Sequence, residues 1–423
     1  MKYFSKINPL FKLCIALTIA ACLSSCEVND DAPPFQEVEY EKFAGLMFEK
    51  EVDLKDCVQE YMRQNGINSL EDLSQKTGLD YKDFNSKLKK LKLYMKLAPK
   101  YNIHGIKYYT TDPNGNAVIA SGVLYYPKKI RPKGVVLISP CLKTKGKCGT
   151  DVQMAYEAIS CLTGYVCIVP DGIGLGSTAK LPIVFVQHEN IAQISVDMQQ
   201  ASREFIHNRY HYDIPDDTYL YGYSLGASGI WAVARYYQQH PGVGFRAKEI
   251  FIGGGAYYPE LMLENTLETC HSSFAVLPCI IWSTNHYNNL GLDFSKVFRG
   301  KLLEGMPELC NGERTIAEVT SYLGEDIREY FDEDFISNRE NLQYLTVSDA
   351  FKRNSIPNDW TPQCMVHLYH SVNDEIAPPI CSDRLYEYLK SVNAKVNYKK
   401  GDQPHTITGI NMEIDFFYFL LDR

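Results

Sequence analysis

The amino-acid sequence predicts an α/β protein whose mostly parallel sheet is covered by helices on both faces. Short apolar runs, typical of buried parallel strands, occur at 134–139 and 165–170. After these runs, apolar residues recur at spacings of three and four from Ile191 to Phe205, which predicts an amphipathic helix. Strands that alternate with helices form βαβ units, in which successive strands run parallel.

The composition is that of a folded, acidic protein. The chain has 423 residues, with 43 Lys and Arg against 51 Asp and Glu, so its formal net charge is −8. A hydrophobic content of 45% excludes a wholly disordered chain. Proteins that bind nucleic acid need clustered Lys and Arg, so we expect no nucleic-acid partner.

The N-terminus is predicted to be an export signal spanning residues 1–25. Three lysines accompany an apolar run at 13–23, which is too short to span a bilayer. The run ends in Leu23-Ser24-Ser25-Cys26, which resembles the lipobox of bacterial lipoproteins. That resemblance implies an exported protein at the bacterial outer membrane or cell surface, anchored by a lipid on Cys26. The alternative is an ordinary secretory signal with a chance cysteine.

Two segments are expected between the signal and the main domain. Residues 26–35 are polar and predict a tether. Residues 36–100 predict a helical N-terminal extension, because apolar side chains recur at helical spacing near its end. That apolar face comprises Phe84, Leu88, Leu91 and Met95. Lysines on the other faces are either simply solvated or contact anionic lipid headgroups.

One large domain is predicted over 101–423. Two β-rich runs flank the turn sequence Asp112-Pro113-Asn114-Gly115, and the alternation of strands and helices then continues to about residue 258. It resumes with a strand at 365–369 and ends in an apolar C-terminal helix. The interruption at 259–357 predicts a helical cap over the strand ends. Its most apolar run, 274–282, is either cap core or the wall of an acyl-binding site.

The pentapeptide Gly222-Tyr223-Ser224-Leu225-Gly226 is the candidate for chemistry. It follows a predicted strand and opens a predicted helix, the setting of a nucleophile elbow. Glycines two residues before and after the serine leave room for a strained turn. The N–H of Leu225 would then be available to an oxyanion.

A serine hydroxyl needs a base and an orienting carboxylate to act as a nucleophile. His405 lies directly after the last predicted strand, and Asp374 follows the strand before it. The order Ser, Asp, His is that of one known arrangement of the triad. Glu375 is the substitute candidate for the acid, and Asp402 is a further alternative. His370, at the end of the preceding strand, is predicted to anchor the acid loop.

These motifs resemble the α/β-hydrolase superfamily, in particular secreted lipases and esterases, over most of the chain beyond the N-terminal extension. Residues 370–378 resemble the fold's H-G-x-x-D-x-x-V-P signature, with Ser371 in place of glycine and Ala377 in place of valine. Residues 170–177 resemble a loop of secreted bacterial and fungal lipases. The resemblance implies an α/β-hydrolase fold with a helical cap insertion.

The resemblance also implies an activity. It is that of a serine hydrolase, which cleaves a small-molecule carboxylic ester through an acyl-enzyme. Ser224 would be the nucleophile, His405 the general base and then acid, and Asp374 its orienter. The family's second oxyanion donor lies in a loop that here reads Ser139-Pro140-Cys141-Leu142, so the N–H of Cys141 or Leu142 is the candidate.

Two other functions stay open. One is an α/β-fold serine peptidase with the same triad, and the other is a catalytically inactive, surface-anchored binding protein. The sequence contains no HExxH, EF-hand or Walker motif, so it predicts neither a metal nor a cofactor. The oligomeric state is left undetermined.

Overall fold

The computed structural model describes residues 41–64 and 100–423, together with residues 68, 69, 72, 75, 89 and 93. The predicted signal peptide, Cys26, the tether and the apolar face from Phe84 to Met95 lie outside the described residues. Within the described part of the chain, no helix is both long enough and apolar enough to cross a membrane.

Nine strands form one mixed sheet in the described residues. Their bounds are β1 Phe43–Val52, β2 Tyr101–Thr111, β3 Ala117–Pro127, β4 Val135–Ser139, β5 Val166–Pro170, β6 Asp217–Tyr223, β7 Arg246–Gly253, β8 Met365–Ser371 and β9 Val396–Gly401. The order across the sheet is β1-β2-β3-β5-β4-β6-β7-β8-β9. All neighbours from β5 to β9 are parallel, whereas β1, β2, β3 and β5 pair antiparallel.

Helices join the strands and form the cap. Their bounds are α1 Leu54–Gln64, α2 His188–Tyr210, α3 Leu225–Gln239, α4 Pro259–Thr269, α5 Leu277–Asn288, α6 Gly300–Glu304, α7 Ile316–Leu323, α8 Glu333–Ser337, α9 Leu342–Arg353, α10 Ile380–Ser391 and α11 His405–Leu421. The predicted mostly parallel sheet with interleaved helices is confirmed, and the fold is that of the α/β-hydrolases.

The sheet is buried on both faces. In β4, Val135 and Leu137 belong to the apolar cluster that contains α2, α3 and α10, whereas Val136 and Ile138 belong to the cluster that contains α11. Successive side chains of a strand point to opposite faces, so a strand covered by helices on both sides is apolar throughout. This explains why the central strands appear in the sequence as continuous apolar runs.

The expectation of helices throughout 36–100 is wrong for Phe43–Val52. These residues form the edge strand β1, which pairs antiparallel with β2. The Glu204 carboxylate on α2 accepts hydrogen bonds from the backbone N–H groups of Lys42 (3.0 Å) and Phe43 (2.9 Å), and so fixes the start of the strand. The strand therefore depends on partners that are distant in sequence, whereas the following α1 is helical as predicted.

The insertion between β7 and β8 contains helices α4 to α9, as expected for the cap. Its apolar core includes Phe298, Phe331 and Phe335, and also Ile183 and Phe185 from the segment that follows β5. The cap also contacts the loop after β8, because Ser273 Oγ donates to the backbone oxygen of Glu375 at 2.9 Å. The cap is thereby fixed beside the carboxyl ends of the parallel strands.

Candidate active site

Ser224 lies at the sharp turn between β6 and α3. Its backbone has φ 55° and ψ −130°, a region that non-glycine residues rarely adopt. The Ser224 N–H donates to the Gly253 carbonyl at 2.9 Å, which ties the turn to the end of β7. The strain predicted for a nucleophile elbow is thus present at the serine itself.

The two flanking glycines are required by close backbone contacts. A Cβ on Gly222 would lie 2.3 Å from the carbonyl oxygen of Gly226, and a Cβ on Gly226 would lie 2.1 Å from that of Ser139. Neither position has room for a side chain. The elbow therefore packs directly against the loop that follows β4, which brings the predicted oxyanion loop next to Ser224.

His405 is the first residue of α11 and faces the serine. Its Nε2 lies 3.0 Å from Ser224 Oγ. The His405 backbone is held at both ends, since its N–H donates to the Glu375 carboxylate at 3.0 Å and its carbonyl accepts from the Tyr223 hydroxyl at 2.6 Å. These contacts fix the ring relative to the turn from which Ser224 projects.

Asp374 lies behind His405. Its Oδ2 is 2.7 Å from His405 Nδ1, and its Oδ1 accepts the N–H groups of Ile376 (2.9 Å) and Ala377 (2.7 Å). Burial alone would raise the pKa of this carboxyl. Hydrogen bonds from His370 and His405, with the charge of His405, instead hold the pKa of Asp374 below its ordinary value.

His370 lies on the side of Asp374 away from the serine. Its Nδ1 is 2.5 Å from Ser382 Oγ, and its Nε2 is 3.0 Å from the carbonyl of Ala377 and 3.3 Å from Asp374 Oδ2. A neutral ring satisfies all of these contacts if Ser382 donates to Nδ1 and Nε2–H points towards the two oxygens. This position agrees with the predicted role of His370 as an anchor of the acid loop.

The two alternative acids do not contact the ring of His405. The Glu375 carboxylate binds the backbone N–H of His405. Asp402 is exposed, and its Oδ1 accepts from the side chain of Gln403 at 3.1 Å. The carboxylate that the structure brings to the imidazole is therefore Asp374. The sequence had placed Glu375 only as a substitute for Asp374 and contained no signal for its backbone contact.

The three candidate oxyanion donors lie near the elbow. Leu225 is the first residue of α3, where backbone N–H groups have no partner within the helix. Cys141 and Leu142 lie in the loop against which Gly226 packs. Among the residues that the structure describes, no protein acceptor binds the N–H of Leu225, Cys141 or Leu142. These donors are thus available to a ligand atom.

A cleft of about 420 Å³ opens beside Ser224 and His405. One wall carries an ion pair that the sequence analysis missed, in which Lys143 Nζ lies 2.6 Å from Glu157 Oε1. Cys141 Sγ also donates to Glu157 Oε1, at 3.3 Å. Burial alone would lower the pKa of Lys143, but Cys141 and Glu157 beside it hold that pKa above its ordinary value. Glu157 thus ties down the side chains on both sides of Leu142.

No protein-family model matches the sequence, and no curated protein matches it. Solved structures share the fold at low sequence identity. A Legionella pneumophila protein named as a hydrolase is 20% identical, with a TM-score of 0.67, over 90% of this chain and 98% of its own. The rice cell wall degrading esterase LipA of Xanthomonas oryzae is 17% identical, with a TM-score of 0.65, over 89% and 96%. Candida antarctica lipase A, in its closed state, is 12% identical, with a TM-score of 0.55, over 88% and 83%.

Proposed function

We propose that the protein is a serine hydrolase that cleaves carboxylic esters, with Ser224 as the nucleophile, His405 as the base and Asp374 as the orienting acid. One observation carries the proposal. A continuous hydrogen-bonded chain runs from Ser224 Oγ through both ring nitrogens of His405 to Asp374, and it begins at a strained turn. The likeness in fold to proteins named as a hydrolase, an esterase and a lipase supports the same class of reaction.

In the acylation step, Ser224 Oγ attacks the carbonyl carbon of the ester while His405 Nε2 takes the hydroxyl proton. The tetrahedral intermediate then collapses and the bond from the carbonyl carbon to the alcohol oxygen breaks. That oxygen takes the proton from Nε2–H and leaves as the alcohol. The acyl group remains on Ser224. The proton lost by the Ser224 hydroxyl ends on the alcohol, so no net proton is taken up or released in this half of the reaction.

In the deacylation step, water replaces the alcohol. His405 Nε2 takes a proton from water as its oxygen attacks the acyl carbon, and then returns the proton to Ser224 Oγ as the carboxylic acid leaves. Asp374 accepts the Nδ1–H hydrogen bond, which keeps Nε2 unprotonated and directed at Ser224 in the resting state. The ionised Asp374 also stabilises the imidazolium that forms in each step.

The carbonyl oxygen becomes negatively charged in both tetrahedral intermediates. In the proposed reaction it accepts the N–H of Leu225 and that of Cys141 or Leu142. A donor of this kind typically contributes about 10²–10³-fold to kcat, because it is already oriented before the charge develops. The hydrogen bonds of Glu157 to Cys141 and Lys143 would keep the second donor in place.

Labelling with a fluorophosphonate probe tests this proposal. The probe forms a covalent bond with an activated serine, so we expect the wild type to be labelled and Ser224→Ala to be unlabelled. Ser337→Ala is the matched control, because Ser337 is an exposed serine of the cap and should leave labelling intact. A wild-type protein that is folded yet unlabelled would contradict the proposal.

A second measurement separates ester from amide hydrolysis. We expect p-nitrophenyl esters to be cleaved with a higher kcat/KM than aminoacyl p-nitroanilides. Equal or faster cleavage of the anilides, in a protein that the probe labels at Ser224, would favour a peptidase. Labelling without turnover of either class would show an activated serine whose substrate is not an ester of this size.

We also propose that the mature protein is exported and anchored at the bacterial outer membrane or cell surface by a lipid on Cys26. The support is the Leu23-Ser24-Ser25-Cys26 sequence that ends the apolar run. Expression of the full chain in a bacterium tests it. We expect the wild type in the membrane fraction, with a lipid on Cys26. We expect Cys26→Ser either in the soluble fraction or as a precursor that keeps its signal peptide. An unmodified Cys26 peptide in the wild type, detected by mass spectrometry, would refute the anchor.

A further inference from the structure

A second, smaller cavity lies next to the candidate active site. Its volume is about 50 Å³, and its lining includes Leu225 but neither Ser224 nor His405. The larger cleft is lined by both Ser224 and His405. The two cavities share four residues, which are Ser139 at the end of β4 and Cys141, Leu142 and Lys143 in the loop that follows. Both cavities therefore border the loop that carries two of the candidate oxyanion donors.

The smaller cavity is suited to a hydrocarbon group. Most of its lining is apolar, and the residues that enclose it include Leu175, Ile183, Phe185, Ile194 and Leu225. Two of its polar residues, Asp171 and Ser195, already have partners in the fold. The Asp171 carboxylate accepts from Ser121 Oγ and Thr150 Oγ1, and Ser195 Oγ donates to the carbonyl of Ile191. A polar ligand would find few hydrogen-bonding groups there, so burying one would be costly.

The proposed chemistry assigns a side to each half of the ester. The alcohol oxygen must take a proton from His405 Nε2, so the alcohol lies in the cleft that contains His405. The carbonyl oxygen points to the N–H groups of Leu225 and the loop after β4. The acyl chain extends away from His405 and continues along that loop. The cavity that adjoins the loop but excludes His405 is the smaller one.

We propose, resting on the function proposed above, that this smaller cavity binds the acyl chain and limits the substrates to esters of short acyl groups. A water-sized group occupies about 10–15 Å³ of such a volume, so about 50 Å³ holds about three to five heavy atoms beyond the carbonyl carbon. This corresponds to acyl groups of about four to six carbons at most. The cleft of about 420 Å³ admits a much larger alcohol.

Ile183 is one of the apolar residues that line the smaller cavity, and it also belongs to the apolar core of the cap. It lies in the segment where the cap meets the sheet domain, and a Cβ on Gly312 of the cap would lie only 2.3 Å from Ile183 Cδ1. The Ile183 backbone is held separately, because its carbonyl accepts from Ser283 Oγ at 2.5 Å. Truncating the side chain should therefore enlarge the cavity without releasing the segment.

The experiment compares kcat/KM for p-nitrophenyl acetate, butyrate, hexanoate and decanoate below their micellar concentrations. We expect the wild type to have its highest kcat/KM for butyrate or hexanoate. Its kcat/KM for decanoate should be lower by at least about tenfold, because the cavity has no room for the additional methylene groups. Ile183→Ala, or Ile194→Ala if the first variant does not fold, should raise the decanoate-to-butyrate ratio by about tenfold.

Ile316→Ala is the matched control. Ile316 is an isoleucine buried in the same apolar cluster as Ile183, yet it lines neither cavity, so the chain-length ratio should not change. A wild type that cleaves decanoate as fast as butyrate overturns the inference, and so does an unchanged ratio in both cavity variants. Fluorophosphonate labelling separates the two proposals. A labelled protein with a long-chain preference refutes only the acyl limit, whereas an unlabelled, inert protein refutes both.

Discussion

Side-chain hydrogen bonds at helix starts are common in the cap and missing from the main helices of the sheet domain. Five of the eight helical segments of the cap start with a side chain that accepts a backbone N–H of the first turn, whereas α4, α5 and α6 do not. The accepting side chains are those of Asp293, Thr315, Asp326, Asp332 and Asn341. In the sheet domain, α2, α3, α10 and α11 receive no such hydrogen bond from the residue that precedes them.

The difference separates stability from reactivity. A side chain that accepts a backbone N–H at a helix start typically contributes about 1 kcal/mol to stability. The insertion that forms the cap therefore gains stability at these helix starts from residues that are near in sequence. In the sheet domain, the first N–H of α3 is left for a ligand, and the first N–H of α11 is bound by the distant carboxylate of Glu375. Changes at helix starts should therefore affect activity in one region and only stability in the other.

The largest effect is expected at Asp374, the acid behind α11. Asp374→Asn should lower kcat by about 10⁴-fold, because an amide stabilises neither the required tautomer nor the imidazolium of His405. Steady-state hydrolysis of p-nitrophenyl butyrate measures this. Asp402→Asn is the control, since Asp402 is exposed, and it should retain wild-type kcat. The opposite ranking of the two variants would show that Asp402, and not Asp374, is the acid that acts on His405.

The lowered pKa of Asp374 also leads us to expect that the stability of the fold depends on pH. In the folded protein the pKa of this carboxyl is held below the ordinary value of about 3.9, so the ionised form stabilises the fold above that pH. This contribution is lost as the pH falls towards the lowered pKa. From about pH 5 to about pH 3, the free energy of unfolding should fall more steeply in the wild type than in Asp374→Asn. Urea denaturation at each pH measures it, and parallel curves would contradict it.

The sequence predicted those strands, helices and turns that are determined by nearby residues or by a repeated apolar pattern. Strands β4 and β5 are largely apolar along their whole length because both faces are covered, and the Asp112–Gly115 turn lies between β2 and β3 as expected. Strand β1 was missed because its consecutive charged residues Glu49-Lys50-Glu51 suit an exposed edge, and its start is fixed by Glu204, about 160 residues away. The helical prediction for its residues rested on a pattern that lies further along the chain.

At the candidate site, the sequence predicted the residues that belong to a known motif or stand in a known chain order. It missed the residues that have neither of these signals. The chain order Ser224, Asp374, His405 is a known one for such a triad. The structure brings the side chains of Ser224 and Asp374 each within hydrogen-bonding distance of His405. The pairing of Lys143 with Glu157 joins two loops without a motif, so only the folded chain reveals it. The contact of Glu375 with the backbone of His405 was hidden for the same reason.

A smaller effect on activity is expected at Glu375, whose carboxylate accepts the first N–H of α11 from a distant position in the sequence. Glu375→Ala should lower kcat by about tenfold with KM unchanged, since the His405 ring loses part of its fixed position. Glu375→Gln should restore most of the loss, because its amide oxygen still accepts the N–H. Glu387→Ala, an exposed glutamate of α10, is the control. An unchanged kcat in Glu375→Ala would show that α11 needs no distant cap.

The smallest effect is expected in the cap, at Thr315. Its Oγ1 accepts the Glu318 N–H at 3.3 Å, and the Glu318 carboxylate accepts the Thr315 N–H at 2.8 Å, which together form a capping box. Thr315→Ala should lower the free energy of unfolding by about 1 kcal/mol in urea denaturation and leave kcat for p-nitrophenyl butyrate unchanged. Thr346→Ala, inside α9, should change the stability by less than about 0.5 kcal/mol. A fall of kcat in Thr315→Ala would mean that the cap's helix starts are coupled to the site, and that the two regions do not divide stability from reactivity.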